Sequence, residues 1–233
     1  RILDSSNSNI SISKIGFSSR NESQFREMLK RPNGIILITG PTGSGKSSTL
    51  YAALNELNDE SRNIITVEDP VEYQVDGINQ VQVNAKIGLT FASGLRSILR
   101  QDPNVVMVGE IRDNETAEIS IRASLTGHLV LSTLHTNSAV SSITRLIDMG
   151  VEPFLVAASI SGLIAQRLVR RVCRDCGEVH PISTREQELF DQEGIEATTV
   201  MRGRGCSSCN MTGYRGRVAI QEVIMVDEVL RRM

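Results

Sequence analysis

The stretch Gly40-Pro-Thr-Gly-Ser-Gly-Lys46-Ser47 fits the phosphate-binding pattern G-x-x-x-x-G-K-[ST] without a gap. An apolar run, Ile35-Ile-Leu-Ile38, precedes it, and a helix-compatible run, Ser48 to Leu57, follows. Strand, loop and helix in that order are the context the pattern needs, because most of its chemistry lies in the backbone. Glycines let successive N–H groups turn inward around a polyphosphate, and the N-terminus of the following helix adds a favourable dipole. The Lys46 ammonium can reach β- and γ-phosphates, and the Ser47 hydroxyl can hold Mg²⁺. The competing reading is a chance Gly/Ser-rich turn, which the matching flanks argue against. Gly40, Pro41, Thr42, Gly43, Ser44, Gly45, Lys46, Ser47 and Ser48 are therefore the candidate nucleotide-binding residues, with Ser47 on magnesium.

At 233 residues the chain fits one large domain, or one domain with a small appendage. Its 25 basic and 27 acidic side chains leave a net charge of -2, so there is no bulk attraction to nucleic acid or anionic lipid. No apolar run is long enough to cross a bilayer and no signal-peptide pattern is present, so a cytosolic setting is expected. With no Trp and few other aromatics, the core must be built from Ile, Val, Leu and Met. The chain opens on Arg1-Ile-Leu, which reads like the middle of a strand, and stops at Leu230-Arg-Arg-Met233 inside a helical pattern. An excised piece of a longer protein is the expectation.

Residues 1–20 are Ser/Asn-rich and read as a strand end plus linker. Phe25, Met28 and Leu29 then fall on one helical face, which Arg31-Pro-Asn-Gly34 ends. Ile64–Val67 reads as a buried strand delivering Glu68-Asp69-Pro70, Ile78–Val83 as an edge strand, and Phe91–Leu99 as an amphipathic helix. Val105–Val108 is another buried strand, ending in Gly109-Glu110. A helix over Asn114–Leu125 leads to a strand over Leu129–Leu131, which delivers Ser132, Thr133 and His135. Alternating strands and helices predict an α/β fold with a mostly parallel sheet and ligands at the strands' carboxyl ends. From Val151 to Val172 the pattern turns helical and, after Arg167, basic. Short, polar, Gly-rich segments follow. The expected organisation is a tail and linker over 1–20, an ATPase domain over 21–172, a cysteine module over 173–212 and a C-terminal segment over 213–233 packing on the ATPase domain.

Glu110 stands where an NTPase needs a carboxylate, after a hydrophobic strand and ready to orient or deprotonate water opposite a γ-phosphate. Glu68 and Asp69 form a second acidic cluster that can complete a water-mediated metal shell. For each carboxylate the competing reading is a helix cap or a solvated loop charge, and Asp69-Pro70 is also ordinary turn chemistry. Arg112 could stabilise phosphate charge or simply pair with a neighbouring carboxylate, the second being preferred, and Arg96 with Arg100 reads as a solvated or salt-bridged helix face. His128 and His135 flank one strand. A lone histidine is usually structural, but a neutral imidazole beside Ser132 and Thr133 can sense a γ-phosphate, and His135, at the carboxyl end, is the better candidate.

Cys173-x-x-Cys176 and Cys206-x-x-Cys209 use all four cysteines, with 29 residues between the pairs. Two such knuckles predict a tetrahedral Zn²⁺ site that is structural, because four thiolates leave no open position for water. Two disulfides or four free thiols are the competing readings, and a cytosolic setting disfavours the first. His180 is a spare ligand or a surface residue. Arg167, Arg170, Arg171 and Arg174 read as a subunit interface or a solvated face, since no aromatic platform for single-stranded nucleic acid accompanies them.

Taken together, four stretches resemble the secretion ATPase superfamily. They are Gly40–Ser47 (its Walker A), Val67-Glu-Asp-Pro-Val-Glu72 (Asp box), Arg100–Asp113 with Val108-Gly-Glu-Ile-Arg-Asp113 (Walker B), and Thr126–Thr136 (His box). The tetracysteine module, Glu152-Pro-Phe and Ala165-Gln-Arg-Leu168 make the chain most similar to the type II secretion system ATPases. Pilus-extension ATPases carry such a module too, and retraction ATPases typically do not. The resemblance implies a RecA-like P-loop ATPase domain with a small zinc-binding subdomain. It implies ATP, Mg²⁺ and structural Zn²⁺ as cofactors, and a homo-hexamer peripheral to the cytoplasmic face of the inner membrane, with secretion-platform proteins and not nucleic acid as partners. Hydrolysis would drive assembly of a pseudopilus. By matching position, Lys46 and Ser47 hold phosphate and Mg²⁺, Glu110 is the catalytic carboxylate, and Glu68 and His135 belong to the Asp and His boxes. Ser48 stands where Thr is commoner, which keeps the hydroxyl. Family members also carry N-terminal domains that bring arginines to the nucleotide, so this chain is expected to bind nucleotide and hydrolyse it poorly. The alternatives are a type IV pilus extension ATPase and, from another class, a nucleotide-gated scaffold that needs no hydrolysis.

Overall fold

The structure is a computed structural model and describes residues 10–232. The expected strand end in residues 1–9 lies outside the described residues. The chain divides into two compact units, one formed by residues up to 167 together with those from 219 onward, the other by residues 168–218. The sequence placed the corresponding changes of character near 172 and 212.

The first unit is built on a parallel sheet. Strand β1 (Gly34–Thr39) is buried along its whole length, and so are β2 (Ile64–Glu68), β4 (Val105–Val108) and β5 (Leu129–Leu134). Such strands read as continuous apolar runs because both faces are covered. In β1, Ile36 and Ile38 join a core cluster with Leu50, Leu54 and Leu57 of α3 (Lys46–Leu57) and with Phe25 and Met28 of α2 (Ser19–Leu29). Ile35 and Leu37 face the other way. They join Ala117 and Ile121 of α5 (Asn114–Leu125), Leu146 of α6 (Ser141–Asp148) and Val156 of α7 (Pro153–Ser159). A third cluster sets Val67, Val106 and Val108 against Phe91 and Leu95 of α4 (Phe91–Ile98).

The short strand β3 (Asn79–Gln82) forms the expected edge and pairs in parallel with β2. With β6 (Ile160–Val172) and β9 (Tyr214–Met225) the order is β3-β2-β4-β5-β1-β6-β9. The β2–β4, β4–β5, β5–β1 and β1–β6 pairings are also parallel. The carboxyl ends of these strands therefore share one rim, where an open α/β sheet takes its ligands.

Three expectations change. Residues 10–20 hold a short helix, α1 (Ile12–Ile15), and the start of α2, which the Ser18 hydroxyl caps by accepting from the Asn21 amide. They are not all linker, because Ile12 is fully buried in the core and Phe17 packs on Phe25 at 5.3 Å between ring centroids. The helical reading of 151–172 holds only for α7, and residues 160–172 are strand β6. A short apolar run such as Ile160–Ala165 suits either structure, and lateral pairing with β1 decides it. The strand expected over Leu129–Leu131 runs on to Leu134, which places Ser132 and Thr133 inside the sheet. Residues 228–232 form α9 (Glu228–Arg232).

The second unit holds the antiparallel pair β7 (Gly177–Pro181) and β8 (Thr199–Gly203), with α8 (Thr184–Gln192) between them in sequence. Ser183 and Glu186 cap α8 reciprocally. Among the described residues no helix is long and apolar enough to cross a membrane.

Candidate functional site

The loop from Gly40 to Gly45 leaves β1 and enters α3, whose N-cap is Gly45 in the left-handed region, with no side chain capping the helix. The first α3 amides are thus left for a ligand. Gly40 has to be glycine, because a Cβ there would lie 2.2 Å from the Gln166 carbonyl oxygen. The Lys46 ammonium donates to the carbonyls of Gly40 at 2.9 Å and Pro41 at 3.2 Å, so it lies over the loop. Burial lowers its pKa, and the charge of Glu110 opposes that shift. The Ser44 hydroxyl is buried without a hydrogen-bond partner among the described residues, an orphaned polar atom inside the cradle.

Glu110 follows β4 and Gly109. The Ser132 hydroxyl donates to the Val108 carbonyl and the Thr133 hydroxyl to the Gly109 carbonyl, each at 2.8 Å, while the Ile111 amide donates to the Thr133 carbonyl at 3.0 Å. β5 thereby fixes the backbone on both sides of the carboxylate. One Glu110 oxygen is paired with Arg112, as the sequence suggested, and the other lies 3.5 Å from Nε2 of His135. The hydrogen bond to Glu110 raises the Arg112 pKa. These three residues, with Leu134, Arg145 and Met149, line a cavity of about 360 Å³. His128 sits at the opposite end of β5, its Nδ1 2.9 Å from the Ala123 carbonyl.

Behind this rim, Thr39 ties the phosphate loop to the segment carrying His135. Its hydroxyl accepts from the Thr136 amide at 2.9 Å and lies 3.0 Å from the Thr136 carbonyl. Glu68 is 3% exposed, and its carboxylate accepts from Tyr51 at 2.5 Å, Thr66 at 2.6 Å and Gln80 at 3.1 Å. It stands among buried hydrogen bonds, as part of a polar network that the sequence did not reveal. Asp69–Pro70 is a cis peptide. Arg96 pairs with Glu115 across α4 and α5, in line with the salt-bridged face expected of it.

Gln166 was not singled out from the sequence. It is 2% exposed, donates to the Ser44 carbonyl at 2.8 Å and accepts from the Thr49 hydroxyl at 2.8 Å. It lies in the Ala165-Gln-Arg-Leu168 stretch that entered the resemblance, but nothing in that stretch gave the glutamine a role.

In the second unit the four cysteine sulfurs lie within 4.8 Å of one another, and the group among the described residues contains no other ligand type, so His180 stays outside it. Sulfur separations of 3.9 Å (Cys173–Cys206), 3.8 Å (Cys176–Cys209) and 3.7 Å (Cys206–Cys209) match the roughly 3.8 Å edge of a tetrahedron with about 2.3 Å Zn–S bonds. The Cys209 sulfur accepts from the amides of Cys206 at 3.2 Å and Gly213 at 3.3 Å. Although burial acts to raise it, the Cys209 pKa falls to about 6 through those amides and neighbouring thiols. Burial pushes Cys176 up to about 12. The donor set fits a four-thiolate metal. Nearby, the Arg170 guanidinium lies 4.1 Å over the Tyr214 ring.

Comparison with known proteins agrees with this architecture. A family model described as Type II/IV secretion system protein matches residues 1–233. The chain is 55% identical over its whole length to a protein named Type II secretion system ATPase E of Vibrio cholerae serotype O1, covering 46% of it. Among solved structures, one titled as the pilus retraction motor PilT with bound ADP matches with a TM-score of 0.70 at 31% identity, over 100% of this chain and 57% of that one. The Legionella pneumophila ATPase DotB matches with a TM-score of 0.67 at 26% identity, over 95% and 52%. The chain spans about half the length of the curated relatives it matches.

Proposed function

This chain belongs to the type II/IV secretion system protein family, and from that premise we propose that it is the motor segment of a Mg²⁺-dependent ATPase that powers pseudopilus assembly in type II secretion. The observation that carries the reading is a half-buried lysine whose ammonium lies over a glycine-rich phosphate loop at the start of α3, with the carboxylate of Glu110 following the carboxyl end of β4 on the same sheet rim. In this reading the loop amides of Gly40–Gly45 and Lys46 hold the triphosphate, and Ser47 and Ser48 supply hydroxyls at the start of α3. The Ser47 hydroxyl would hold magnesium, which would supply charge neutralisation on the triphosphate. Glu110 takes a proton from water, whose oxygen forms the new bond to the γ-phosphorus as the bond to the ADP oxygen breaks.

Arg112 and His135 hold the two Glu110 oxygens, so the base is oriented before substrate arrives. His135 is placed to sense the γ-phosphate, and Thr39 links it to the loop. Glu68 acts from the Asp box, through the Tyr51 network or by releasing it. Zinc held by Cys173, Cys176, Cys206 and Cys209 is structural. The assembly is a homo-hexamer, cytoplasmic and peripheral at the inner membrane, which meets platform proteins and not nucleic acid. The isolated segment turns over slowly without the rest of the chain. A pilus-extension motor is the second reading, favoured by the four clustered cysteines, since the pilus-extension ATPases carry such a module too.

The test replaces the full-length protein with its Glu110→Gln form and assays exported enzymes and surface pili in the same cells. Lost secretion with normal pili is expected. Lost pili with normal secretion would move the motor to the other machine, and full function of the variant would leave only a nucleotide-gated scaffold, because only hydrolysis needs that carboxylate.

A further inference from the structure

We propose that Gln166 is a positioning residue of the nucleotide site, whose buried amide holds the phosphate loop in its anion-receiving shape. The inference rests on the nucleotide reading above and adds to it a residue outside the loop. Gln166 follows Ala165, which pairs with Thr39 at the end of β1, so β6 runs directly beside the loop. Its backbone carbonyl is the atom on which Gly40 packs, and its side chain reaches Ser44 at the other end of the loop. One residue therefore touches both ends of the loop.

The orientation of the amide is forced. The Ser44 carbonyl can only accept, so the Gln166 nitrogen must face it, which leaves the Gln166 oxygen to accept from Thr49. Thr49 is fully buried in α3, and its hydroxyl also lies 3.3 Å from the Gly45 carbonyl. The brace thus spans β6, the loop and α3. A trans peptide points its C=O and N–H in opposite directions. Fixing the Ser44 carbonyl toward β6 therefore turns the Gly45 N–H away from β6, and inward-facing amides of this kind take phosphate oxygens. Without the brace, that peptide can rotate and the loop must be ordered by the ligand at the expense of affinity.

The test compares ATP binding and turnover of the full-length protein with those of Gln166→Met, which keeps length and volume but cannot donate to the Ser44 carbonyl and accepts only weakly. A rise of about tenfold in the ATP dissociation constant is expected, the scale of one buried hydrogen bond with its carbonyl left unmet. KM should rise with it while kcat falls less. Thr49→Val should weaken binding in the same direction, and the double variant should bind no more weakly than Gln166→Met alone, because both remove one brace. A residue that merely fills space would lower Tm and leave the affinity of the folded protein unchanged, so wild-type affinity in folded Gln166→Met overturns the proposal. If that variant does not fold, Thr49→Val decides on the same measurement. Failure of the wild-type protein to bind ATP would sink the nucleotide reading itself, and is seen separately.

Discussion

The sheet unit and the cysteine unit are held together by different physics. In the first, apolar side chains on both faces of β1, β4 and β5 are buried against helices. Each Å² of apolar surface so buried contributes about 25 cal/mol, so the core of this unit is built from packing and not from a bound ion. In the second, the buried cluster among the described residues consists of cysteines, and Val179, Leu189, Ile195 and Met201 are about half exposed or more. Residues 168–218 bury too little apolar surface to offset the entropy of ordering them. What a core does in one unit, four converging sulfurs are placed to do in the other if they share a cation.

The largest effect should come from removing that cation. Mass spectrometry of the native protein should find one zinc per chain, and Cys206→Ser or a strong chelator should remove it. Structural zinc contributes on the order of 10–16 kcal/mol in small domains, more than residues 168–218 can replace by packing. Amide protection across β7 and β8 should then disappear while that of β1, β4 and β5 persists. Retention of β7–β8 protection in a zinc-free protein would show a core that the contacts do not reveal, and the contrast between the units would fail.

The same contrast explains which parts were legible in the sequence. Buried parallel strands announce themselves as uninterrupted Ile/Val/Leu runs, so β1, β2 and β4 could be placed, with Glu110 after β4 and His135 after β5, although Ser132 and Thr133 lie within β5 itself. The cysteine spacing likewise named its own geometry. Residues 160–172 were misread because an apolar run of that length carries no period that separates helix from strand. The Gln166 brace, the Thr39–Thr136 link and the Tyr51–Glu68 network were not legible for another reason. Each joins residues distant in the chain through a few hydrogen bonds, and no spacing in the sequence assigns a Gln, Thr or Tyr its partner across such a distance.

The Tyr51 network tests the sheet unit at its polar weak point. Burial, and then hydrogen bonding to Glu68, raises the Tyr51 pKa above its ordinary value of 10.0. The unfolded chain therefore releases this proton first as pH rises. The stability that the network contributes is present in full below pH 10 and is lost as pH rises through the folded pKa. Urea unfolding should show a steeper alkaline decline in the wild type than in Tyr51→Phe. At neutral pH the variant should lose about 1–3 kcal/mol, because Glu68 keeps its burial but not its shortest partner. Equal stability of the two proteins at neutral pH would mean that water replaces the phenol and that Glu68 is less enclosed than its 3% exposure implies.

The smallest effects should separate the units most finely, because the same kind of contact is asked for in both. Arg96–Glu115 joins two helices over a packed core, with both side chains more than half exposed. Such pairs contribute about 0–1 kcal/mol, and Arg96→Ala should leave amide exchange in α4 and α5 unchanged. Arg202 donates to both Glu186 oxygens at 2.7 Å, tying β8 to the cap of α8 in a unit with no apolar alternative. Arg202→Ala in the zinc-loaded protein should therefore speed exchange in the first turn of α8 and in β8, although its pair is also a surface one. A local opening has to break only what holds that locality, so an ion pair matters more where little else does. Equal silence of both variants would mean that the metal alone organises residues 168–218, out to the strands and helix that do not touch it.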